Sequence, residues 1–290
     1  MQIVTDSGVD ISMAHEELAQ SSIHVVPLRV TLGDKTYREG LDISKDDFYQ
    51  MLVASRELPR TTQPSPGEFA EVYRSLAKTD PDILSIHMSS GLSGTYQSAV
   101  LAAQMVPEAR ITHIDTKTLS VPSGWQVEVA ARAMKAGWAL DRILEMVKSV
   151  SHATETMFTL EELKYLIHGG RISHMKGLVA AVLNIKPVIG VEKEKGTYVQ
   201  LAFLRTFKKA IKGVVDIMEK KHAAGSSLRV QVVHAQNPEG AEALQKQIAE
   251  RFNCTFLPQM AMSLVLGAHT GPSMIGVAYA DAGVFSGIPV

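Results

Sequence analysis

The residues best placed to do chemistry are small hydroxyl groups set in loops. The run Ser89-Ser90-Gly91-Leu92-Ser93-Gly94-Thr95-Tyr96-Gln97-Ser98-Ala99 follows the apolar stretch Ile83-Leu84-Ser85-Ile86 and leads into a helical pattern from Ala99 to Met105. A strand, a Ser/Gly loop and a helix start in that order aim backbone N–H groups and hydroxyls at one spot, which the helix dipole makes mildly positive. Such a spot suits an anion. No Lys or Arg lies between Lys78 and Arg110, so hydrogen-bond donors rather than a full opposite charge would hold it. That favours a carboxylate over a triphosphate. A second polar cluster, Arg60-Thr61-Thr62-Gln63-Pro64-Ser65-Pro66, could bring Thr61 and Thr62 beside Ser93 and Gly94, or could only shape a turn before two prolines. A third, Leu266-Gly267-Ala268-His269-Thr270-Gly271-Pro272-Ser273, reads as an irregular segment in which His269 has no packing reason to be.

Other chemistries fit less well. Ser93 and His269 could pair as nucleophile and base of a serine esterase or acyltransferase. However, Leu92-Ser93-Gly94 is not the strained Gly-x-Ser-x-Gly turn, and no carboxylate near His269 stands out as its orienting partner. The loop lacks the Gly-Lys-Ser/Thr ending of a phosphate-binding loop, and no Gly-x-Gly-x-x-Gly follows the first strand. A small-anion or phosphosugar sensor remains open and would need a largely polar cleft. No histidine pair shows metal-ligand spacing with supporting carboxylates, so no metal is expected. The single cysteine, Cys254, reads as an inert thiol in a short strand.

These clusters sit on a recognisable scaffold. Short apolar runs at Gln2 to Thr5, Asp82 to His87 and Arg110 to Ile114 alternate with helical patterns, the signature of an α/β domain built on a mainly parallel sheet wrapped by helices. Ser65-Pro66-Gly67-Glu68 predicts a capped helix start, and Thr159-Leu160-Glu161-Glu162 predicts another before Leu163 to His168, closed by Gly169-Gly170. The pattern changes near residue 155. Lys186 to Glu192 and Thr197 to Phe203 read as an antiparallel hairpin, followed by helix Phe207 to Lys221, strand Leu228 to His234, helix Pro238 to Arg251 and strand Cys254 to Leu257. The expected organisation is an N-terminal α/β domain over 1–155 carrying the hydroxyl loops and a C-terminal mixed-sheet α/β domain over 156–290.

At 290 residues with 46% hydrophobic content, the chain can fold without metal or disulfide. The start carries no basic segment followed by a long apolar one, and no run approaches a membrane span, so a cytoplasmic protein is expected. The net charge of −1 hides an asymmetry: between Lys164 and Lys212 lie ten basic residues against only Glu192 and Glu194. This stretch is either a set of solvated helix faces or a docking surface for an acidic partner, a nucleotide or anionic lipid. It carries no nucleic-acid motif, so nucleic acid is the less attractive partner.

Taken together and in order, the motifs resemble the DegV family of bacterial fatty-acid-binding proteins, including the binding subunits that serve fatty acid kinase. The strings are Thr5-Asp6-Ser7 with Asp10, Pro27-Leu28 with the Gly33 to Tyr37 turn, Thr61-Thr62-Gln63-Pro64-Ser65, and Ser89 to Ala99. They continue through Asp115-Thr116 with Ser120, Tyr165-Leu166 with Gly169-Gly170-Arg171-Ile172, Leu183-Asn184-Ile185-Lys186-Pro187, and His269-Thr270-Gly271-Pro272. The resemblance implies a two-domain protein that binds one long-chain fatty acid in a cleft, needs no cofactor, catalyses no reaction, and presents the carboxylate to a separate fatty acid kinase. It places the carboxylate on Thr61, Thr62, Ser93 and Gly94 with His269 nearby, and assigns kinase docking to Arg171, with Lys176 and Arg205 on the same basic face. Transient contact with a membrane surface fits the same reading. One departure stands out: Ser273 occupies a position where relatives commonly carry glycine. Met260, Met262, Leu264, Val265, Leu266 and the stretch Leu178 to Leu183 are candidate walls for the acyl tail.

Overall fold

The computed structural model describes residues 1–14, 17–18, 21–175 and 185–289. The chain opens with β1 (Gln2–Asp6) and its parallel neighbour β2 (Ile23–Val26), then folds the hairpin β3 (Arg29–Leu32) and β4 (Lys35–Arg38). After helix α1 (Lys45–Ala54), strand β5 (Arg60–Thr62) pairs with the other edge of β3 to make a small antiparallel sheet. Helix α2 (Pro66–Ala77) starts with the expected reciprocal cap between Ser65 and Glu68. Strand β6 (Asp82–His87), helix α3 (Thr95–Ala103) and strand β7 (Arg110–Asp115) complete a parallel sheet of order β2-β1-β6-β7.

The central strands β1 and β6 are buried on both faces, which is why they read as continuous apolar runs, whereas the edge strands β2 and β7 are half-buried. Val4 and Ile83 pack with Phe69 and Tyr73 of α2, whereas Ile3, Leu84 and Ile86 join a core that includes Trp125 of α4 (Ser120–Lys135). Almost every residue of α4 from Ser120 to Ala133 is buried, because the helix is caught between two sheets. Its Trp125 indole N–H donates to Gln231 of the second sheet at 3.1 Å. The more exposed α5 (Leu140–Ala153) turns Ile143, Val147 and Val150 inward.

The second sheet begins at β8 (Glu155–Thr159). Then come α6 (Lys164–His168), a tight turn over Arg171–His174, the antiparallel hairpin β9 (Lys186–Val191) and β10 (Tyr198–Leu204), and α7 (Phe207–Lys221). Strand β11 (Ser227–His234), α8 (Pro238–Ala249), β12 (Asn253–Phe256), β13 (Met260–Ala261), α9 (Leu264–Thr270) and β14 (Ile275–Asp281) finish it. The order is β10-β9-β8-β14-β11-β12, with β13 also on β11; β12 and β13 run parallel to β11 and the other pairs are antiparallel. This is the α/β architecture expected, a parallel sheet plus a mixed one. The largest apolar cluster runs through both halves, from Ile3 and Leu28 to Leu266 and Met274.

Two local expectations fail. Thr159 does not cap a helix: it ends β8, paired with Ile275, and α6 starts at Lys164 without a side-chain cap. The tertiary pairing of β8 outweighs a four-residue capping signal. His269 is in no irregular segment but in α9, whose Leu264, Val265, Leu266, Gly267 and Ala268 are all buried. A helix buried on every side has no polar face and so no periodicity to read. Lys176 and the Leu178 to Leu183 stretch lie outside the described residues.

Candidate functional site

The parallel strands β1 and β6 lead in opposite directions across their sheet, one toward β2 and the other toward β7. A crevice forms at the carboxyl ends of such strands, where open α/β sheets hold ligands. The loop after β6 is anchored there by a buried polar chain. His87 Nδ1 lies 2.9 Å from Asp6 Oδ2, His87 Nε2 lies 2.6 Å from Ser85 Oγ, and that hydroxyl lies 2.6 Å from the Tyr73 hydroxyl. Asp6 also accepts the Met88 and Gly8 amides at 3.0 and 2.9 Å. The two strand ends are thereby fixed to one another.

The loop's own amides are largely consumed inside it. Leu92 and Ser93 N–H groups donate to Ser89 O at 3.1 Å each, Gly91 N–H to Ser89 Oγ at 3.1 Å, and Ser90 N–H to Asp115 at 3.1 Å. Ser89 in turn donates its hydroxyl to Gly196 O at 2.8 Å, pinning the loop to the β9–β10 turn. The amides of Ser90 to Ser93 are thus spent within the loop, whereas the Gly94, Tyr96 and Gln97 N–H groups at the start of α3 have no acceptor among the described residues and remain, with the side-chain hydroxyls, as donors for a ligand. Ser93 Oγ shares a hydrogen bond of 2.8 Å with Thr95 Oγ1 and can still offer its own proton outward.

Ser93 and Thr61 line one pocket, together with Leu28, Met88, Leu92, Leu119, Arg171, Tyr198, Val265, Leu266 and His269. Thr61 is there because β5 alternates. It faces inward while Thr62, its neighbour, is exposed on the opposite face, so Thr62 cannot share the ligand as expected. Gly94 is also not on the pocket wall. It is the N-cap of α3 and lies beneath Gln63, whose amide a Cβ at residue 94 would strike at 2.4 Å. Gln63 Nε2 reaches on to Ser98 Oγ at 3.0 Å, so the Thr-Gln-Pro-Ser cluster and the Ser/Gly loop are locked together.

His269 comes from the other half of the chain, at the end of α9, and its Nε2 lies 2.8 Å from Thr61 Oγ1. Burial, with Arg171 and His168 adding like charge, pushes its pKa down to about 3, so the ring is neutral near pH 7. Nδ1 is buried without a partner among the described residues, pressed against Gly169, where an added Cβ would stand 2.0 Å away. An unpaired acceptor is tolerated more readily than an unpaired N–H, so Nε2 carries the proton and donates to Thr61. The Thr61 hydroxyl proton is then free to point at an anion in the pocket.

Arg171 departs from its expected place. Gly170, at φ +72°, swings the chain into the Arg171–His174 turn, and the guanidinium folds back over the loop. Its Nε donates to Leu92 O at 3.3 Å and another nitrogen to Gly169 O at 2.6 Å. A cation therefore does stand on the wall of the anion pocket, contributed by a residue far in sequence from the loop. Arg205, by contrast, is exposed, as are Lys208, Lys209 and Lys212.

Leu119 and Tyr198 also line a neighbouring apolar slot. Val121, Pro122, Met157, Phe158, Val191, Val233, Met262, Met274 and Val277 line it. Of the expected tail walls, Met262 is in the slot, whereas Val265 and Leu266 border the head pocket instead. The slot is a seam of about 40 Å³, room for a water or two. An acyl chain entering it must push side chains aside, and Met157, Met262 and Met274 are the unbranched kind that yields. Sequence reasoning missed Met157, Phe158 and Tyr198 because each lies on a strand whose apolar pattern reads as ordinary core.

Among the described residues no three His, Cys, Asp or Glu side chains group to hold a metal, and no helix is long and apolar enough to cross a membrane. Cys254 lies in β12 as expected, and burial pushes its thiol up to about 11. The DegV family model, which describes its members as uncharacterised proteins, matches residues 1–282. The chain belongs to the DegV family. A DegV domain-containing protein of Halalkalibacterium halodurans is 33% identical over 278 residues, covering 96% of this chain and 97% of that one. The solved DegV of Bacillus subtilis, described as a fatty acid binding protein, has a TM-score of 0.84 at 28% identity, with 97% and 98% of the two chains covered. The Streptococcus pneumoniae Fatty Acid Kinase (Fak) B3 protein, loaded with linoleic acid, shares the fold with a TM-score of 0.79 at 22% identity, over 97% of this chain and 99% of that one.

Proposed function

We propose that this protein binds one long-chain fatty acid, with the carboxylate on Thr61, Ser93 and Arg171 and the tail in the apolar slot, and presents the carboxylate to a partner fatty acid kinase. The observation that carries the reading is the adjacency of the two spaces, which share Leu119 and Tyr198 as walls. A pocket with hydroxyl donors lies beside a slot lined almost wholly by hydrocarbon. The relatives described as fatty-acid-binding share this fold over nearly their whole length.

The two ends divide the work. Each buried methylene is worth ~0.8 kcal/mol, so about fifteen contribute roughly 12 kcal/mol before the costs of ordering the chain and moving the methionines. Hydrogen bonds to the carboxylate add ~1.5–3 kcal/mol each, much of it offset by stripping water from the charge. The tail sets affinity and the hydroxyls set orientation. His269, neutral and donating to Thr61, orders that hydroxyl without itself competing as a cation. We place the division between the two lobes near residue 155, so that the acid lies between them, and assign partner docking to the exposed Arg205, Lys208, Lys209 and Lys212 face.

The esterase reading is disfavoured by geometry. Ser93 Oγ is partnered by Thr95, His269 Nε2 is engaged with Thr61, and His269 Nδ1 faces Gly169 rather than a carboxylate. We therefore assign no reaction to the protein alone. Native mass spectrometry of the protein purified from lipid-fed cells should show one fatty acid per chain. Protein that stays unliganded, or a covalently acylated Ser93 after incubation with an activated ester, would contradict the proposal.

A further inference from the structure

Behind the head pocket lies a buried pair of carboxylates, Glu39 and Asp10, that the fatty-acid site does not itself use. Glu39 follows β4, and its N–H donates at 2.9 Å to the carbonyl of Leu28, a residue of the pocket wall. Its carboxylate reaches the start of α9, where it accepts the Ser263 hydroxyl at 2.9 Å and the Leu264 N–H. The next two residues of that helix, Val265 and Leu266, line the pocket as well. Glu39 therefore stands one layer of wall behind the head group, at Leu28 and at α9 alike. Asp10 completes the pair, its Oδ2 accepting the Ser263 N–H at 3.2 Å and the Ser120 hydroxyl at 2.6 Å.

The charges here do not balance. Lys45 of α1 lies 3.2 Å from Asp10 Oδ1 and also donates to Ala261 O, and among the described residues no cation pairs with Glu39. Tyr49, enclosed on the same helix, keeps its phenol proton, because burial and the two carboxylates both disfavour its loss. His234, at the end of β11, is held below the usual imidazole range by burial and by the charge of Lys45. Asp6 is turned to His87, and Arg38 and Asp42, close to Glu39 in the chain, pair with each other at the surface. His269, at the far end of α9, is neutral near pH 7, and Arg171 lies across the pocket. Burial first, and Asp10 second, push Glu39 up to about 7. Its protonation leaves the architecture standing: a carboxylic acid accepts the Leu264 N–H on one oxygen and donates from the other to Ser263, whose hydroxyl only has to turn. What changes is the field in the pocket, by one negative charge.

We infer that Glu39 couples the head pocket to protons: an arriving carboxylate disfavours its ionised form, so the protein takes up a proton as it binds fatty acid and holds the acid less tightly in alkali. This rests on the fatty-acid reading and adds a regulation to that same site. A second negative charge nearby raises the Glu39 pKa above its value in the free protein. Affinity is therefore greatest below about pH 7 and falls as pH rises through the interval between the free and bound values. At an effective permittivity of ~20, repulsion across one layer of wall is worth about fivefold to tenfold in affinity.

The test is calorimetric titration of the intact protein with monomeric laurate from about pH 6 to about pH 9, a range in which an ordinary carboxyl such as laurate's stays ionised. Pairs of buffers with different ionisation enthalpies count the protons taken up. Uptake should be largest near or just above pH 7, and affinity at about pH 6 should exceed that at about pH 9 fivefold to tenfold. Glu39→Gln, which keeps the shape and removes the charge, should bind at every pH as the unaltered protein does at about pH 6, with the uptake gone. In His269→Gln the uptake should persist, which separates Glu39 from the imidazole on the pocket wall. Laurate bound without proton uptake, uptake unchanged in Glu39→Gln, or uptake lost in His269→Gln would each overturn the inference and leave the fatty-acid reading standing. Failure of laurate and palmitate to bind at any pH would instead remove the fatty-acid reading.

Discussion

His87 and His269 are both buried histidines, yet they stand in opposite situations. His87 is fully enclosed, with Asp6 on one ring nitrogen and Ser85 on the other, and Ser85 passes the chain on to Tyr73. His269 has Thr61 on one nitrogen and nothing but Gly169 against the other, and it borders open space. A polar network whose members are all satisfied locks strand ends together and asks nothing of a ligand. One left with an unspent donor at a pocket wall is arranged for something that arrives later. The first network builds the crevice and the second reads what enters it.

The sharpest way to break this contrast is to delete His87. His87→Ala removes one hydrogen-bond partner from the buried Asp6 and breaks the link to Ser85 and Tyr73, and urea denaturation should show a loss of about 2–3 kcal/mol. The fraction still folded should bind fatty acid nearly as well as the parent. Thr61→Val should act mainly on the ligand, weakening fatty-acid affinity about tenfold to a hundredfold by titration, while stability falls by about 1–3 kcal/mol because the buried His269 N–H loses its acceptor. Arg171→Ala should also weaken binding, by about fivefold to tenfold, because the guanidinium borders the head pocket. Unchanged lipid affinity in that variant would return Arg171 to a docking role.

The pH response sharpens the comparison further. The His269 pKa is about 3 in the folded chain against an ordinary 6.5, so the unfolded chain takes up the proton first as pH falls. Its contribution is intact above pH 6.5 and declines as pH drops toward 3, by about 2 kcal/mol between pH 6.5 and 5 at ~1.4 kcal/mol per unit. His113, pushed down to about 4 by burial, adds to the same decline, so the slope is best taken as the difference from His269→Gln. A bound carboxylate stabilises the protonated ring and should flatten that slope. Thr62→Ala, on the exposed face of β5, should have the smallest effect, within about 0.5 kcal/mol of stability and with no change in affinity.

Much of this was legible in the sequence where local signals and tertiary demands agree. The Ser65 capping box, the β9–β10 hairpin and the strands β1, β6 and β7 are set by short-range chemistry and lie where their patterns put them. Ser93, Thr61 and His269 were named from residue type and motif, and they do line one pocket. What could not be read depends on neighbours distant in the chain. The side of β5 that faces inward is set by its pairing with β3, which separates Thr61 from Thr62. Arg171 enters the pocket only because Gly170 turns the chain, and the loop amides are spent on Ser89 and Asp115 in a way no spacing announces. Helix α9 hid its nature because burial on every side erased its period.

The central claim is an orientation, and a crystal structure of the palmitate complex tests it most directly. The carboxylate should lie within hydrogen-bonding distance of Thr61 Oγ1 and Ser93 Oγ, with the tail running past Leu119 and Tyr198 between Met157 and Met274. A carboxylate found instead against Thr118 and Lys193, with the methyl end beside His269, would contradict it.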